Sequence, residues 1–214
     1  MNKQQVQKRI HKNDELLDLD LFQWDENSKV LRTQESNIRC YFHGIDGVSF
    51  YFGAHCYVEA GDNTKVRGLS GNEIKIGNNG DIRTFDNLTC LAGTNTAFNV
   101  GSYCDILIGH NSKGKVKDCS GIQVSGMGTF KTGNECTITT LGNSIIRMGS
   151  GCKVYRDDIQ EIIDMDLVKG KHADIARYDL KIELNDNGIS GYRVLPRYGS
   201  VSYTHLTLPT KRIV

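Results

Sequence analysis

Proline is nearly missing from this chain: its only two, Pro196 and Pro209, lie near the end. Everything before them keeps its backbone donors, so long stretches of hydrogen-bonded strand are open to it. No apolar run approaches the roughly 20 residues a bilayer-spanning helix needs, so no membrane partner is expected. The basic opening, Met1-Asn2-Lys3-Gln4-Gln5-Val6-Gln7-Lys8-Arg9, has no apolar segment behind it. A secretory signal is therefore not expected, and the location inferred is cytoplasmic, or a virion for a phage product. A large excess of either charge is also missing, with 26 Lys and Arg against 25 Asp and Glu. That excludes a strongly acidic tail or a uniformly basic domain. Seven cysteines without a signal segment point to a reducing compartment and free thiols.

Glycine is what the chain has in quantity, 23 residues in 214, and it recurs with a period. Cut every eight residues from Ser36, the columns align to Tyr155 as fifteen octads. Ala60-Gly-Asp-Asn-Thr-Lys-Val-Arg67 and Thr132-Gly-Asn-Glu-Cys-Thr-Ile-Thr139 are the clearest. Column seven runs from Phe42 and Phe50 to Ile146 and Val154 and is apolar in every unit but one, Gly114. Columns five, seven and the next column one alternate with polar columns six and eight, the period of two of a half-buried strand. Column two is often Gly, and columns three and four collect Asn, Asp and Ser, residues that suit tight corners.

Five cysteines, Cys40, Cys56, Cys104, Cys136 and Cys152, share column five at gaps that are multiples of sixteen. Two octads per coil would stack all five on one face, so the fold expected is an all-β solenoid of two-strand, 16-residue coils, about 7.5 coils in all. At the usual strand spacing it would be about 36 Å long. Gly114 is the expected weak rung. Residues 1–35 form a helical or mixed N-terminal cap, with a helix to about residue 12 and apolar residues from Leu16 to Trp24 covering the first coil. Residues 36–155 are the solenoid. Residues 156–200 form an α+β cap in which Asn185-Asp-Asn-Gly188 joins two strands as a hairpin. Residues 201–214 resemble translated sequencing-adapter DNA and are expected to be a non-native tail.

On Ala60-Gly61, Ala92-Gly93 and Thr132-Gly133, each with Thr or Cys three residues after the Gly, the octad resembles the repeat of bacterial ice-nucleation proteins. It looks closer to uncharacterised octad-repeat proteins of gut bacteria and their phages, whose post-repeat segment is similar to Arg156-Asp-Asp-Ile-Gln-Glu-Ile-Ile163. The first resemblance implies ice binding through Thr-x-Thr in columns six and eight. Only Thr137-Ile138-Thr139 has that pair, so ice binding is not expected. The second implies no activity.

Three constellations are candidates for chemistry. The cysteine ladder could bridge or hold a soft metal, but small apolar filling is the simpler reading. On the even-numbered octads column eight carries Arg67, Arg83, Lys115, Lys131 and Arg147, with Lys65 and Lys113 beside them in column six. Such a row suits an anionic polymer, nucleic acid or acidic glycan. His43, His55 and His110 fall in three different columns, so no metal or cofactor is expected. The reading is a non-enzymatic structural or binding module, with a phage or bacterial accessory protein as the expected type. The alternatives are a self-assembling homo-oligomer through Tyr41, Tyr57, Tyr155, Leu91 and Leu107, and a glycan-active enzyme using Asp46, Asp62, Asp86 or Asp118.

Overall fold

Each octad folds as a short strand and a corner, and successive octads alternate between two parallel sheets. The computed structural model describes residues 1–126, 128–140, 144–149, 151–156, 161–164, 180–185 and 188–194. The first sheet is ordered Glu15–Leu16, Ile10–Lys12, Ile38–Phe42, Tyr57–Ala60, Glu73–Ile76, Thr89–Ala92, Asp105–Ile108, Gly121–Val124, Thr137–Thr140, Lys153–Arg156, Glu161–Asp164. The second runs Gln23–Asp25, Val30–Arg32, Ser49–Tyr51, Lys65–Arg67, Asp81–Arg83, Ala97–Asn99, Ser112–Lys115, Gly128–Lys131, Ile145–Arg147, Gly188–Val194, Leu180–Asn185. From Ile38–Phe42 to Lys153–Arg156, and from Val30–Arg32 to Ile145–Arg147, the neighbours are parallel. This is the two-strand solenoid expected.

The core is the row structure itself. In the first sheet Val58, Ile74, Cys90, Ile106, Ile122 and Ile138 lie one above another and are all buried. In the second, Leu31, Phe50, Val66, Ile82 and Phe98 do the same. Each large side chain so buried contributes about 1.5–3 kcal/mol, and only stacking of coils provides the burial.

Gly114 follows Phe98 and precedes Phe130 in this second row. It leaves no gap. The two rings lean together across it, stacked with centroids 5.9 Å apart. A Cβ on Gly114 would lie 2.5 Å from three atoms of the Phe98 ring.

The repeat is not free of insertions, contrary to the sequence reading. Cys40 pairs with Val58, eighteen residues on, and Leu31 with Phe50, nineteen on. From Ser49 onward the step is sixteen, as in Ser49 with Lys65. The corner from His43 to Val48 holds two of the extra residues: Phe42 to Phe50 spans eight positions where Ala60 to Val66 spans six. The third lies between Leu31 and Cys40, which span nine positions where Phe50 to Val58 spans eight. Gly44 and Gly47 turn this longer corner at φ 68° and 73°. Parallel stacking also begins earlier than residue 36, because Val30–Arg32 already pairs parallel to Ser49–Tyr51 across an irregular, nineteen-residue step.

Corner chemistry also differs from the expectation in detail. The left-handed conformation falls in column four, at His55, Asn63, Asn79, Asn87, Asn95, Tyr103, Asn111, Cys119 and Glu135. Four of these form an asparagine ladder, with Asn79, Asn95 and Asn111 each donating from Nδ2 to the Oδ1 of the one before, at 3.3, 3.2 and 2.7 Å. Column-two glycines serve another purpose. A Cβ on Gly61, Gly77, Gly101 or Gly133 would run into Oδ1 of Asp46, Asp62, Asp86 or Asp118 in the coil before.

The N-terminal cap is mostly strand rather than helix. Helix Lys3–Gln7 has only five residues and is closed by a capping box between Asn2 and Gln5. Ile10–Lys12 then leaves the helix to pair antiparallel with Ile38–Phe42, since that coil offers an unpaired edge. Val6, Ile10, Leu17 and Phe22 cover the first coil as expected. At the other end Glu161–Asp164 pairs antiparallel with Lys153–Arg156, and the hairpin Leu180–Asn185 with Gly188–Val194 docks on Ile145–Arg147. The helical part of the expected C-terminal cap, and the tail 201–214, lie outside the described residues.

Candidate functional site

Parallel pairing carries residues one coil apart, sixteen positions from Ser49 onward, into straight rows. On the second sheet one row reads Arg32, Tyr51, Arg67, Arg83, Asn99, Lys115, Lys131, Arg147. Beside it runs Val30, Ser49, Lys65, Asp81, Ala97, Lys113, Thr129, Ile145. The seven basic residues named from the sequence thus share one face. Arg32 joins them, an addition missed because the first rung is nineteen residues long. Its guanidinium sits 4.5 Å from the centroid of the Tyr51 ring.

The row is not uniformly available. Asp81 takes Arg67 in a 2.5 Å ion pair and Arg83 at 3.6 Å. Arg67 also donates through Nη1 to the carbonyls of Val66 and Asp81, both at 2.9 Å, and is folded onto the sheet. Further along, Lys113, Lys115 and Lys131 are exposed and pair with no described acid. Lys115 and Lys131 are direct neighbours in register. The side chain of Arg147 lies outside the described set. Lys113, Lys115 and Lys131 thus form a second cationic group on this face beside Arg32, Lys65, Arg67 and Arg83, where Asp81 is the one acid of the two rows.

The thiols divide differently from the sequence reading. Cys56, Cys104, Cys136 and Cys152 keep their inward column-five row. Cys40 does not: the longer corner moves it to the neighbouring row, over Val58. Only Cys136 and Cys152 remain on adjacent rungs of that row, with the Cys136 amide donating to Cys152 Sγ at 3.4 Å. Cys104 donates to the Gly101 and Ser102 carbonyls at 3.4 Å, and Cys56 to the Ala54 carbonyl at 3.3 Å. Burial pushes the Cys90 thiol up to about 12 and raises Cys40 further. All seven cysteines are free.

The four aspartates weighed for enzyme chemistry are used to tie coils together. Oδ1 of Asp46, Asp62, Asp86 and Asp118 accepts the amide of Asp62, Asn78, Ser102 and Asn134, each one coil on, at 2.7–2.8 Å. They are strung along two corners rather than gathered in a groove. His43 meets Glu59 at 2.9 Å, and His55 and His110 lie over Gly71 and Gly126. Thr137 and Thr139 neighbour Gly121, Gln123, Lys153 and Tyr155 in their rows, which make no hydroxyl lattice. Of the residues named for self-assembly, Leu91 and Leu107 are register neighbours, 47% and 41% exposed. Tyr41 pairs with Glu59 across the ladder, and its ring lies 5.6 Å from that of Tyr57. No helix among the described residues is long and apolar enough to cross a membrane. No protein-family model matches this chain, and no curated protein or solved structure matches it either.

Proposed function

We propose that the protein is a binding module that presents the outer face of its second sheet to an extended anionic polymer. The observation that supports this is the register of Lys115 with Lys131, with Lys113 alongside and no described acid between them. Like charges opposed across a strand pair destabilise a sheet, so an uncompensated lysine row opposes folding and favours an anionic partner. Asp81 shows how the same face relieves such repulsion where it does so. A flat, straight row fits a single flexible chain, which can lie along it, better than a stiff duplex that touches it at one point.

The test is fluorescence anisotropy with a labelled single-stranded oligo-dT of about 20 nucleotides and, separately, a labelled heparin octasaccharide. Binding at about 50 mM salt is expected in the micromolar range, with a salt slope reporting about three ion contacts. The Lys113→Glu/Lys115→Glu/Lys131→Glu variant should bind at least about tenfold more weakly and lose most of that slope. Equal binding by wild type and variant rejects the proposal, as does no binding to either probe. All three side chains point into solvent, so the variant keeps the core intact.

A further inference from the structure

The outer face of the first sheet carries a feature unlike the basic row. At its N-terminal end a groove of about 720 Å³ is lined by Asp14, Arg39, Tyr41, Tyr57, Glu73 and Lys75, among others. Strands Ile38–Phe42, Tyr57–Ala60 and Glu73–Ile76 supply the floor. The turn Asn13-Asp14 between Ile10–Lys12 and Glu15–Leu16, with both residues at positive φ, supplies the side. Here the cap contributes side chains beside a solenoid face.

We infer that this groove binds a neutral oligosaccharide, with Tyr41 and Tyr57 as its stacking platform. The charges are already balanced. Arg39 stands 3.7 Å from Asp14, and Lys75 pairs with Glu73 at 2.8 Å. A polyanion or a phosphate would gain little here. Both pairs are nonetheless exposed, Arg39 at 59% and Asp14 at 90%, so their remaining donors and acceptors face the groove or solvent. Ion-paired groups of this kind accept and donate to neighbouring hydroxyls at once.

The aromatic geometry narrows the ligand further. The Tyr41 and Tyr57 rings are 5.6 Å apart and tilted by 47°. That is an open, angled platform, with Tyr41 37% exposed. It does not make the parallel slot in which a planar nucleobase is sandwiched. A pyranose, with one C–H-rich face and a rim of hydroxyls, matches an amphipathic aromatic platform set among polar groups. The Tyr57 hydroxyl is held above its usual pKa by burial and by its hydrogen bond to Glu59, so it remains a neutral group at physiological pH. Lys75 lies over one face of the Tyr57 ring, 5.0 Å from its centroid.

The experiment titrates the full chain with tetrasaccharides of β-glucose, β-xylose, α-mannose and N-acetylglucosamine. Calorimetry at about 0.5 M NaCl screens out the basic face. At least one sugar is expected to bind with Kd between about 10 µM and 5 mM. Saturation-transfer NMR on wild-type protein should place that sugar's ring protons against tyrosine. Tyr41→Ala and Tyr57→Ala should each weaken binding at least tenfold, while Tyr41→Phe and Tyr57→Phe retain it within about threefold. Lys113→Glu/Lys115→Glu/Lys131→Glu should bind the sugar unchanged, which separates this site from the polymer row. Absence of binding across the panel, or sugar contacts that avoid both tyrosines, overturns the inference.

Discussion

Filling Gly114 with a methyl group tests whether this interior is packed or hollow. A glycine alone in an apolar column invites the view that Gly114→Ala fills space and stabilises. The geometry requires the opposite. The added Cβ would lie 2.5 Å from Cγ, Cδ2 and Cε2 of Phe98, where ordinary contact begins near 3.4 Å. The ring must therefore retreat by about 1 Å, and it cannot retreat freely because Phe130 stacks on it at 5.9 Å. Overpacking of this size costs about 1–3 kcal/mol. Phe98→Leu alone should cost about 1–2 kcal/mol, since it leaves part of the ring volume empty. Together the changes compensate: Gly114→Ala/Phe98→Leu should be more stable than the sum of the singles by at least about 1 kcal/mol. Urea unfolding of the four proteins, followed by circular dichroism, gives the cycle directly. A more stable Gly114→Ala, or strictly additive singles, would refute the packing argument.

Two further perturbations probe other parts of the fold. Gly101→Ala places a methyl 2.7 Å from the amide nitrogen of Asp86 and 2.8 Å from the Phe85 carbonyl carbon, backbone that cannot swing aside. It should cost about 2–3 kcal/mol in urea midpoint analysis, although its φ is one any residue adopts; a cost under about 0.5 kcal/mol contradicts the steric account. The buried thiols set an alkaline limit. Cys90 keeps its proton in the folded chain to about pH 12, whereas the unfolded thiol loses it near 9. Its contribution is therefore complete below pH 9 and fades as pH climbs toward 12. Between pH 9 and 10 wild type should lose about 1 kcal/mol more than Cys90→Val, and equal losses would remove the thiol as the cause.

Much of this architecture was readable from spacing alone. The apolar alternation and the eight-residue period dictate strands and corners, and the sixteen-residue parity of the cysteines points to two strands per coil. Four of the five cysteines carry that parity, since Cys40 lies in the neighbouring row. Its column was displaced by the residues added after His43, an insertion hidden because Phe42 and Phe50 both look like column seven. A two-residue slip preserves the inward-outward alternation, so hydrophobic pattern cannot detect it. The glycines were seen but misread. Column-two Gly looked like a torsional requirement, yet it answers to a carboxamide or carboxylate fifteen positions earlier, a relation visible only once coils are stacked. The basic row was legible because it depends on the coil period alone. The Tyr41 groove was not, since it needs the Asn13-Asp14 turn from a cap whose fold the local pattern places wrongly.

These separations have a consequence for where function can reside. Inward columns are fixed by packing, and column four by its left-handed conformation. Columns two and three are tied to each other across coils through pairs such as Asp86 with Gly101 and Asp118 with Gly133. Columns six and eight carry no such obligation beyond backbone pairing, so their composition is free to answer to something other than folding. On the second sheet that freedom yields Lys113, Lys115 and Lys131 without a described counter-charge; on the first it yields tyrosines among matched ion pairs. A scaffold indifferent to its outer residues would drift toward mixed, self-neutralising faces, because adjacent like charges cost stability. The lysine row departs from that drift in the direction that costs most, a cost that the proposed anionic partner would offset.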